Sequence, residues 1–195
     1  RRPQRKEMNE LLAFGGFMIV LMCKQITYNQ AVALAARISP EASAAHQIVY
    51  AVSRFCYTLG DTTGATAQAF LPPLVKRKPT ISKVCIMACM VSLIASSILY
   101  FLPTALFTTD PTIQAHVTSV KLYGALGLLL HPVVVALEGC LLANNDIRWL
   151  VKNYLMTGLA SILICFFLRD LPSIWCYLFV YQLSRFLSFL PRALR

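Results

Sequence analysis

Four charged side chains lie inside stretches of the chain that are otherwise apolar. They are Lys24, Arg54, Asp61 and Glu138, two of each sign. A charge near the centre of a bilayer costs about 2.5–3.5 kcal/mol on insertion scales, so such groups usually face a bundle interior or cavity and mark a functional site. A buried carboxylate beside a cation can take up a proton on one side of a membrane and release it on the other. We therefore expect Glu138 and Asp61 to couple to protons, with Lys24 and Arg54 as their charge partners.

Glu138 is the first choice as the proton carrier, because it follows Pro132, which should kink its helix. Asp61 is the second choice. Arg54 and Asp61 lie two helical turns apart on one face of a single predicted helix. An ion pair that merely fixes helix packing is the structural alternative for these two residues.

Uncharged polar residues in the same segments predict a substrate cavity. The alternative is that they form hydrogen bonds between helices. His46 and His131 could relay protons, although a single histidine in an apolar helix is more often hydrogen-bonded structure. The expected cavity residues are Gln25, Tyr28, Asn29, Gln47 and Gln68.

Residue sets that are typical of catalysis or metal binding are not found in the sequence. The seven cysteines lie in apolar segments without the paired spacing of a metal site, so we expect free, buried thiols. An intramembrane enzyme would need a set such as a His and an Asp paired at helical spacing, and the sequence contains no such pair. We expect no enzyme activity, no metal and no cofactor, and a proton gradient as the driving force. The cysteines are Cys23, Cys56, Cys85, Cys89, Cys140, Cys165 and Cys176.

The composition is typical of an integral membrane protein. Hydrophobic residues make up 57% of the chain and charged residues 13%, and the mean hydropathy is +0.63. Because a spanning helix needs roughly 20 residues, the 195 residues can hold six such helices with short connections. We predict an all-α, polytopic six-helix bundle. The net charge of +10 comes from basic residues in loops and termini, so the expected partner is a lipid bilayer and not a nucleic acid.

The apolar segments place the six helices at about 11–36, 42–73, 81–102, 117–143, 150–168 and 171–190, as a transmembrane lobe over 11–190. Residues 1–10 form a basic cytosolic connector and 191–195 a basic tail. The bias of Lys and Arg puts both termini in the cytosol or its equivalent. Since the chain opens with RRPQRKEMNE, we expect it to be part of a longer protein.

The fifth and sixth predicted helices hold few polar groups, and we expect them to be a lipid-facing scaffold. Trp175, Tyr177 and Tyr181 fit an aromatic belt at the membrane interface. Arg185 is counted with the cytosolic end of the sixth helix. Gly60, Gly64, Gly124 and Gly127 permit close helix approach or bending.

Three segments resemble a known family of transporters. The seventh and eighth helices of MATE (multidrug and toxic compound extrusion) carriers resemble CKQITYNQAVALAARISPEASAAHQI and LGDTTGATAQAFLP, and the end of their tenth helix resembles ALEGCLLANND. The resemblance is to the branch that includes bacterial damage-inducible and plant plastid-associated carriers. In that branch a lysine also lies in the seventh helix, as Lys24 does here.

The resemblance implies a twelve-helix antiporter of two six-helix lobes, with this chain as the C-terminal lobe and the N-terminal lobe as its missing partner. Such carriers export organic solutes by alternating access against protons or sodium, with substrate between the lobes. By motif, Glu138 takes the place of the acidic residue in the tenth helix, and Gln47 that of the AHQ glutamine. No carboxylate in the first helix matches the one that some relatives use, which favours protons over sodium.

The predicted function is secondary active antiport, in which a small organic solute or xenobiotic leaves in exchange for protons. Lys24 and Arg54 suit an organic anion. A non-transporting membrane scaffold or remnant subunit is the alternative, followed by an intramembrane enzyme. The sequence leaves open whether the membrane is the plasma membrane or that of an organelle such as a plastid or vacuole.

Overall fold

The structure is a computed structural model, which describes residues 5–71 and 77–194, with side chains at 15, 16, 18, 22, 24–71 and 80–194. In these ranges the chain forms α-helices, a short 3₁₀ turn at Thr104–Leu106 and no strand, so the all-α prediction is confirmed. The six helices are α1 (Arg5–Ile38), α2 (Pro40–Phe70), α3 (Arg77–Phe101), α4 (Pro111–Ala143), α5 (Ile147–Cys165) and α6 (Leu171–Ala193).

Four of the observed helices, α1, α3, α4 and α6, are longer than predicted, whereas α2 and α5 keep about the predicted length and lie two to three residues earlier in the chain. α1 begins at Arg5, inside the predicted connector 1–10, and α6 continues to Ala193, inside the predicted tail 191–195. α2 ends at Phe70; Pro72 and Pro73, which were predicted to end it, lie outside the described residues. α4 begins at Pro111, well before the predicted start at 117.

Three helices begin with a capping side chain and a proline. The proline follows the capping residue either directly or after one intervening residue. Ser39 Oγ accepts a hydrogen bond from the Ala42 amide at 3.0 Å, and Asp110 Oδ1 accepts one from the Thr112 amide at 2.8 Å. Asp170 Oδ1 caps α6 in the same way. Such caps satisfy amide groups that have no partner within the helix, and proline costs nothing in the first turn. Asp110 therefore explains the early start of α4.

α4 is the central helix and packs against α2, α3 and α6. Every residue from 131 to 141 is buried. A helix that is apolar on all sides is typically surrounded by other helices, and α4 has a mean hydropathy of 2.0 in its most apolar window. His131 and Glu138 are therefore held inside the bundle.

α2 crosses α4 at glycines, which allow the two backbones to come close. A Cβ on Gly64 would lie 2.8 Å from the backbone oxygen of Val135, and a Cβ on Gly139 would clash with the backbone oxygen of Gly64. Thr63 Oγ1 donates a hydrogen bond to the backbone oxygen of Pro132 at 2.9 Å across the same crossing. Of the two roles predicted for Gly127, close approach or bending, close approach is absent, because a Cβ there would meet nothing within 4 Å.

The outward faces of α3 and α5 are apolar. Among the residues that the structure describes, two helices are long and apolar enough to cross a membrane: Thr80–Phe101 and Pro111–Ala143, with hydropathies of 2.3 and 2.0. For the other four helices, membrane crossing stays a prediction. The exposed apolar residues include Ile86, Met90, Leu93 and Ile94 on α3 and Leu155, Met156, Leu159 and Leu163 on α5.

α6 is not the lipid-facing scaffold that was expected. Trp175, Tyr177 and Tyr181 are 2%, 6% and 4% exposed, and they lie in the bundle interior and not in an interfacial belt. The reason is that residues three and four apart on α6 form one face, which packs against α4. Arg185 lies on this face.

The cysteines with described side chains are free thiols, as expected. The expectation that all would be buried is wrong: Cys56 and Cys140 are buried, Cys85, Cys165 and Cys176 are half-buried, and Cys89 is exposed. Cys89 lies on α3, whose outer face is apolar, so a small hydrophobic thiol fits there. The side chain of Cys23 lies outside the described residues.

Candidate functional site

Glu138 is the centre of a buried cluster of polar side chains. Its Oε2 lies 2.7 Å from Arg185 Nη2 and 3.2 Å from Lys24 Nζ. The same oxygen accepts a hydrogen bond from the Tyr154 hydroxyl at 2.8 Å. Glu138 is 4% exposed and Arg185 0%. Two cations around one carboxylate leave this cluster with an excess of positive charge when all three groups are ionised.

Four helices bring this cluster together. Lys24 lies on α1, Glu138 on α4, Tyr154 on α5 and Arg185 on α6. The Lys24 side chain is 20% exposed, so it is the member that other molecules can reach. α1 packs against α5 and α6, and both of these helices contact α4, so residues from four separate helices meet here.

Aromatic rings surround the guanidinium of Arg185. Its Cζ lies 4.9 Å from the ring centroid of Tyr154, 5.4 Å from that of Phe189 and 5.6 Å from that of Tyr181. The Nη2 group also donates to the Tyr154 hydroxyl. Ring faces attract a cation most strongly where water is excluded, so these contacts stabilise the buried charge together with Glu138.

Sequence reasoning missed Arg185 as a site residue, because it was counted with the cytosolic end of the sixth helix. A signal was available in the spacing of α6. Leu178, Tyr181 and Phe189 are buried on one helical face, and Arg185 falls on that face at intervals of three to four residues. A charge on the buried face of an amphipathic helix is expected to have an ionic partner. The same pattern would have found Gln182.

Asp61 and His131 form a second pair. His131 Nε2 lies 3.6 Å from Asp61 Oδ1, which is an ion pair when the ring is protonated. The Asp61 side chain is 64% exposed, whereas His131 is 4% exposed. The Tyr57 ring packs on the imidazole with 4.1 Å between centroids. An accessible carboxylate thus lies next to a buried titratable ring.

Gln182 connects the two groups. Its Oε1 accepts a hydrogen bond from Arg185 Nη1 at 3.0 Å, and its Nε2 lies 3.0 Å from His131 Nδ1. Nε2 also donates to the Tyr28 hydroxyl at 2.9 Å. Hydrogen bonds therefore run from His131 through Gln182 and Arg185 to Glu138, and Asp61 lies beside the outer end of this series, at ion-pair distance from a His131 Nε2 that has no hydrogen-bond partner among the described residues. We call this series together with Asp61 the polar chain. Hydrogen-bonded groups in a low dielectric polarise one another, so a change at His131 can act on Glu138.

Arg54 lies outside the polar chain. It is exposed, and its Cζ lies 5.9 Å from the ring centroid of Tyr50 on the same helix. Among the ion pairs that the described residues form, Asp61 pairs with His131 and none includes Arg54. The structure therefore brings Lys24 together with Glu138 but does not bring Arg54 together with Asp61.

An exposed polar stripe runs along α2. Its members recur every seven residues, which is nearly two helical turns, so they share one face. Unlike the outward faces of α3 and α5, this face offers amides and charges to a ligand or to another part of the protein. The stripe consists of Gln47, Arg54, Asp61 and Gln68.

The three predicted cavity residues on α1 point in different directions. Gln25 and Asn29 are exposed, and Gln25 Nε2 donates to Asn29 Oδ1 at 2.8 Å. Tyr28 is buried, with its ring centroid 5.8 Å from that of Tyr57 and its hydroxyl on Gln182. Tyr28 therefore belongs to the interior around the polar chain, whereas Gln25 and Asn29 lie on the surface.

His46 packs as an aromatic side chain and has no place in the polar chain. It is buried, and its ring centroid lies 5.8 Å from that of Tyr50 and 5.4 Å from that of Trp175. Neither ring nitrogen has a hydrogen-bond partner among the described residues. Of the two histidines considered for proton relay, His131 is the one beside a carboxylate. No set of three or more His, Cys, Asp or Glu side chains in the described part of the chain could hold a metal ion.

The chain is similar to Protein DETOXIFICATION 47, chloroplastic, from Arabidopsis thaliana, with 24% identity over 210 residues. The aligned region covers 98% of this chain, which spans only 38% of the length of that relative. No family model matches the chain, and no solved structure matches it. The similarity supports the resemblance to the MATE family, a family of transporters, and together with the two apolar helices it indicates a membrane protein.

Proposed function

We propose that this chain is the C-terminal six-helix lobe of a MATE-type secondary active antiporter. The complete protein exports a small organic solute in exchange for protons by alternating access, and the N-terminal six-helix lobe completes the substrate cavity. The observation that supports this most strongly is the polar chain, which links buried Glu138 to accessible Asp61 within a bundle whose outer faces on α3 and α5 are apolar. Ionisable groups inside a membrane protein usually mark a substrate or proton pathway.

The charge balance favours an organic anion as the solute. Lys24, Arg54 and Arg185 supply three positive charges, against two negative charges from Asp61 and Glu138. Lys24 is partly accessible, and Arg54 is exposed on the polar stripe of α2. An excess of positive charge in a cleft raises the local concentration of anions. The polar stripe and the exposed Gln25 and Asn29 on α1 would supply hydrogen bonds to the solute.

Proton binding at Glu138 provides a physical route to a conformational change. The ionised carboxylate holds Lys24 of α1 and Arg185 of α6 against α4. A proton on this carboxylate removes the negative charge that holds both cations, so α1 and α6 become free to repack. Asp61 with His131 is the second place where a proton can bind, and it is the one closer to solvent.

Exchange by the full-length protein in proteoliposomes tests the proposal. Vesicles are loaded with carboxyfluorescein, a fluorescent organic anion, or with rhodamine 6G, an organic cation. Efflux is then measured with and without an inward proton gradient, in which the outer solution is more acidic than the vesicle interior. We expect the gradient to drive efflux of the anion, a proton ionophore to stop it, and a sodium gradient to leave it unchanged. Absence of exchange for both probes under all gradients would favour a non-transporting scaffold.

Two variants of Glu138 then test the site. Glu138→Gln is expected to abolish proton-driven efflux. Glu138→Gln combined with Arg185→Gln removes one charge of each sign, keeps the net charge of the cluster and leaves the partly exposed Lys24 as its cation. We expect this double variant to fold and to lack proton-driven efflux. Unchanged efflux in the double variant would remove Glu138 from the mechanism.

We also propose a plastid membrane as the location, in preference to the plasma membrane or the vacuole. The word chloroplastic in the name of the Arabidopsis relative supports this, as does the resemblance of the Lys24 segment to plastid-associated carriers. Imaging of the full-length protein with a fluorescent C-terminal tag distinguishes the three membranes. No enzyme activity is proposed, because the similarity is to a transporter family.

A further inference from the structure

The side-chain amide of Gln182 lies between the buried side chains of Arg185 and His131. Arg185 determines which end of the amide, Oε1 or NH₂, faces each neighbour. A guanidinium has N–H groups and no acceptor. The Gln182 atom that lies 3.0 Å from Arg185 Nη1 must therefore be the carbonyl Oε1. The amide NH₂ is then the group that lies 3.0 Å from His131 Nδ1 and 2.9 Å from the Tyr28 hydroxyl.

This orientation fixes the protonation pattern of the His131 ring. An amide NH₂ can only donate, so Nδ1 of His131 has to accept and carries no proton. The proton of the neutral ring is consequently on Nε2, which lies 3.6 Å from Asp61 Oδ1. The partner of one ring nitrogen thus determines what the other nitrogen presents to its neighbour.

We propose that Gln182 is a positioning residue for proton coupling, which holds His131 as the Nε2–H tautomer and links the Asp61–His131 pair to the Glu138–Arg185 pair. A second proton on His131 has to enter at Nδ1, where the amide NH₂ of Gln182 now lies. The amide must then rotate and present Oε1 to His131. The rotation turns NH₂ towards Arg185 and breaks the hydrogen bond to its Nη1. This inference rests on the proposed proton-coupled transport.

The groups around His131 link the protonation of its ring to the position of Arg185. From α2, Asp61 lies beside Nε2 and the Tyr57 ring packs on the imidazole. From α6, Gln182 contacts Nδ1, and Arg185 acts through its charge, as does Lys24 from α1. Asp61 supplies the negative charge that can hold a protonated ring, whereas Arg185 and Lys24 repel it. Release of Arg185 from Gln182 and protonation of His131 are therefore expected to favour one another.

The tautomer of His131 can be observed directly by NMR of the full-length protein with ¹⁵N-labelled histidine. The His131 signals are assigned as those that disappear in His131→Asn. We expect an unprotonated, hydrogen-bonded Nδ1 and a protonated Nε2 in the wild type. In Gln182→Glu the new carboxylate can only accept, so the proton is expected on Nδ1. Gln114→Glu makes the same chemical change near the start of α4, where the Gln114 side chain bonds to Thr108 O, and is expected to leave His131 unchanged.

Gln182→Met provides a second variant that adds no charge. It removes the donor from Nδ1, so the Nδ1 chemical shift is expected to move to that of an acceptor without a hydrogen bond. In the proteoliposome assay, Gln182→Glu and Gln182→Met are expected to reduce proton-driven efflux about tenfold and to change its pH profile, while Gln114→Glu leaves both as in the wild type.

Two results would overturn the inference: a wild-type His131 that carries its proton on Nδ1, or Gln182→Glu and Gln182→Met proteins in which the His131 signals and the pH profile do not change. Failure of the proposed function gives a different pattern. In that case the wild type has the expected tautomer, but efflux is indifferent to the pH gradient, which overturns the coupling role and leaves the orientation of Gln182 in place.

Discussion

Glu138 is held by two cations and a phenol, and this limits how its substitutions can be interpreted. Replacing the carboxylate alone leaves Arg185, which is 0% exposed, without its ionic partner. An unpaired buried charge is costly, whereas removal of both partners can be nearly neutral. Loss of transport in Glu138→Gln by itself could therefore reflect poor folding.

We predict that Glu138→Gln lowers the free energy of unfolding by about 3–5 kcal/mol, and that Glu138→Gln with Arg185→Gln recovers most of this loss. Thermal unfolding of the full-length protein in detergent measures both. Asp146→Asn is the matched control, because it removes a carboxylate that pairs with Arg192 at 2.9 Å where both side chains are partly exposed. It should cost at most about 1 kcal/mol. A double variant less stable than Glu138→Gln would contradict the assignment of Arg185 as the main partner.

At the scale of elements, the crossing of α2 and α4 positions both halves of the polar chain. Gly64 and Gly139 let the helices approach closely, and Thr63 bridges them through its hydrogen bond to Pro132 O. Asp61 reaches His131 from this crossing. Wider spacing between the helices would separate the carboxylate from the imidazole, so close packing at the glycines supports the site.

We predict that Gly64→Ala destabilises the protein by about 1–3 kcal/mol, because the new methyl group would lie 2.6 Å from Val135 Cγ1 and 2.8 Å from its backbone oxygen. Gly127→Ala is the control on α4, where a Cβ meets nothing within 4 Å. It should leave stability unchanged or raise it by up to about 1 kcal/mol, since alanine favours helix more than glycine. Thermal unfolding distinguishes the two variants. Equal effects would show that the crossing is not closely packed.

For the whole molecule, the important contrast is between the outward faces of the helices. α3 and α5 offer apolar side chains to their surroundings, whereas α2 offers the polar stripe of Gln47, Arg54, Asp61 and Gln68. Apolar faces fit lipid, and a polar face fits a cavity or a second lobe. The chain also spans only 38% of its Arabidopsis relative. The stripe is therefore the surface on which the proposed N-terminal lobe would lie.

We predict that residues 1–195 alone, reconstituted into vesicles, do not exchange carboxyfluorescein, because half of the proposed cavity is missing. Circular dichroism of the same sample serves as the control, and its helical signal should be retained. Co-reconstitution with the remainder of the full-length protein is expected to restore exchange. Rapid exchange by the isolated chain would contradict the two-lobe arrangement.

The sequence by itself determined that the chain is all-helical and that Lys24, Asp61 and Glu138 are unusual, since charges inside apolar runs are visible without any coordinates. It also indicated close packing at Gly64. Helix ends were less well predicted, because a single capping residue such as Asp110 moves the start of a helix by more than a turn.

Only the tertiary structure decided which of these groups meet. Arg185 and Gln182 lie on α6 and contact partners that are far away in sequence, and Asp61 turned out to lie beside His131 and not beside Arg54. Periodicity tells which side chains share a helical face, but not which neighbouring helix that face contacts. The contact depends on how α4 packs simultaneously against α2, α3 and α6. Partners in a buried charge network are therefore fixed by the packing of several helices at once, which no local pattern records.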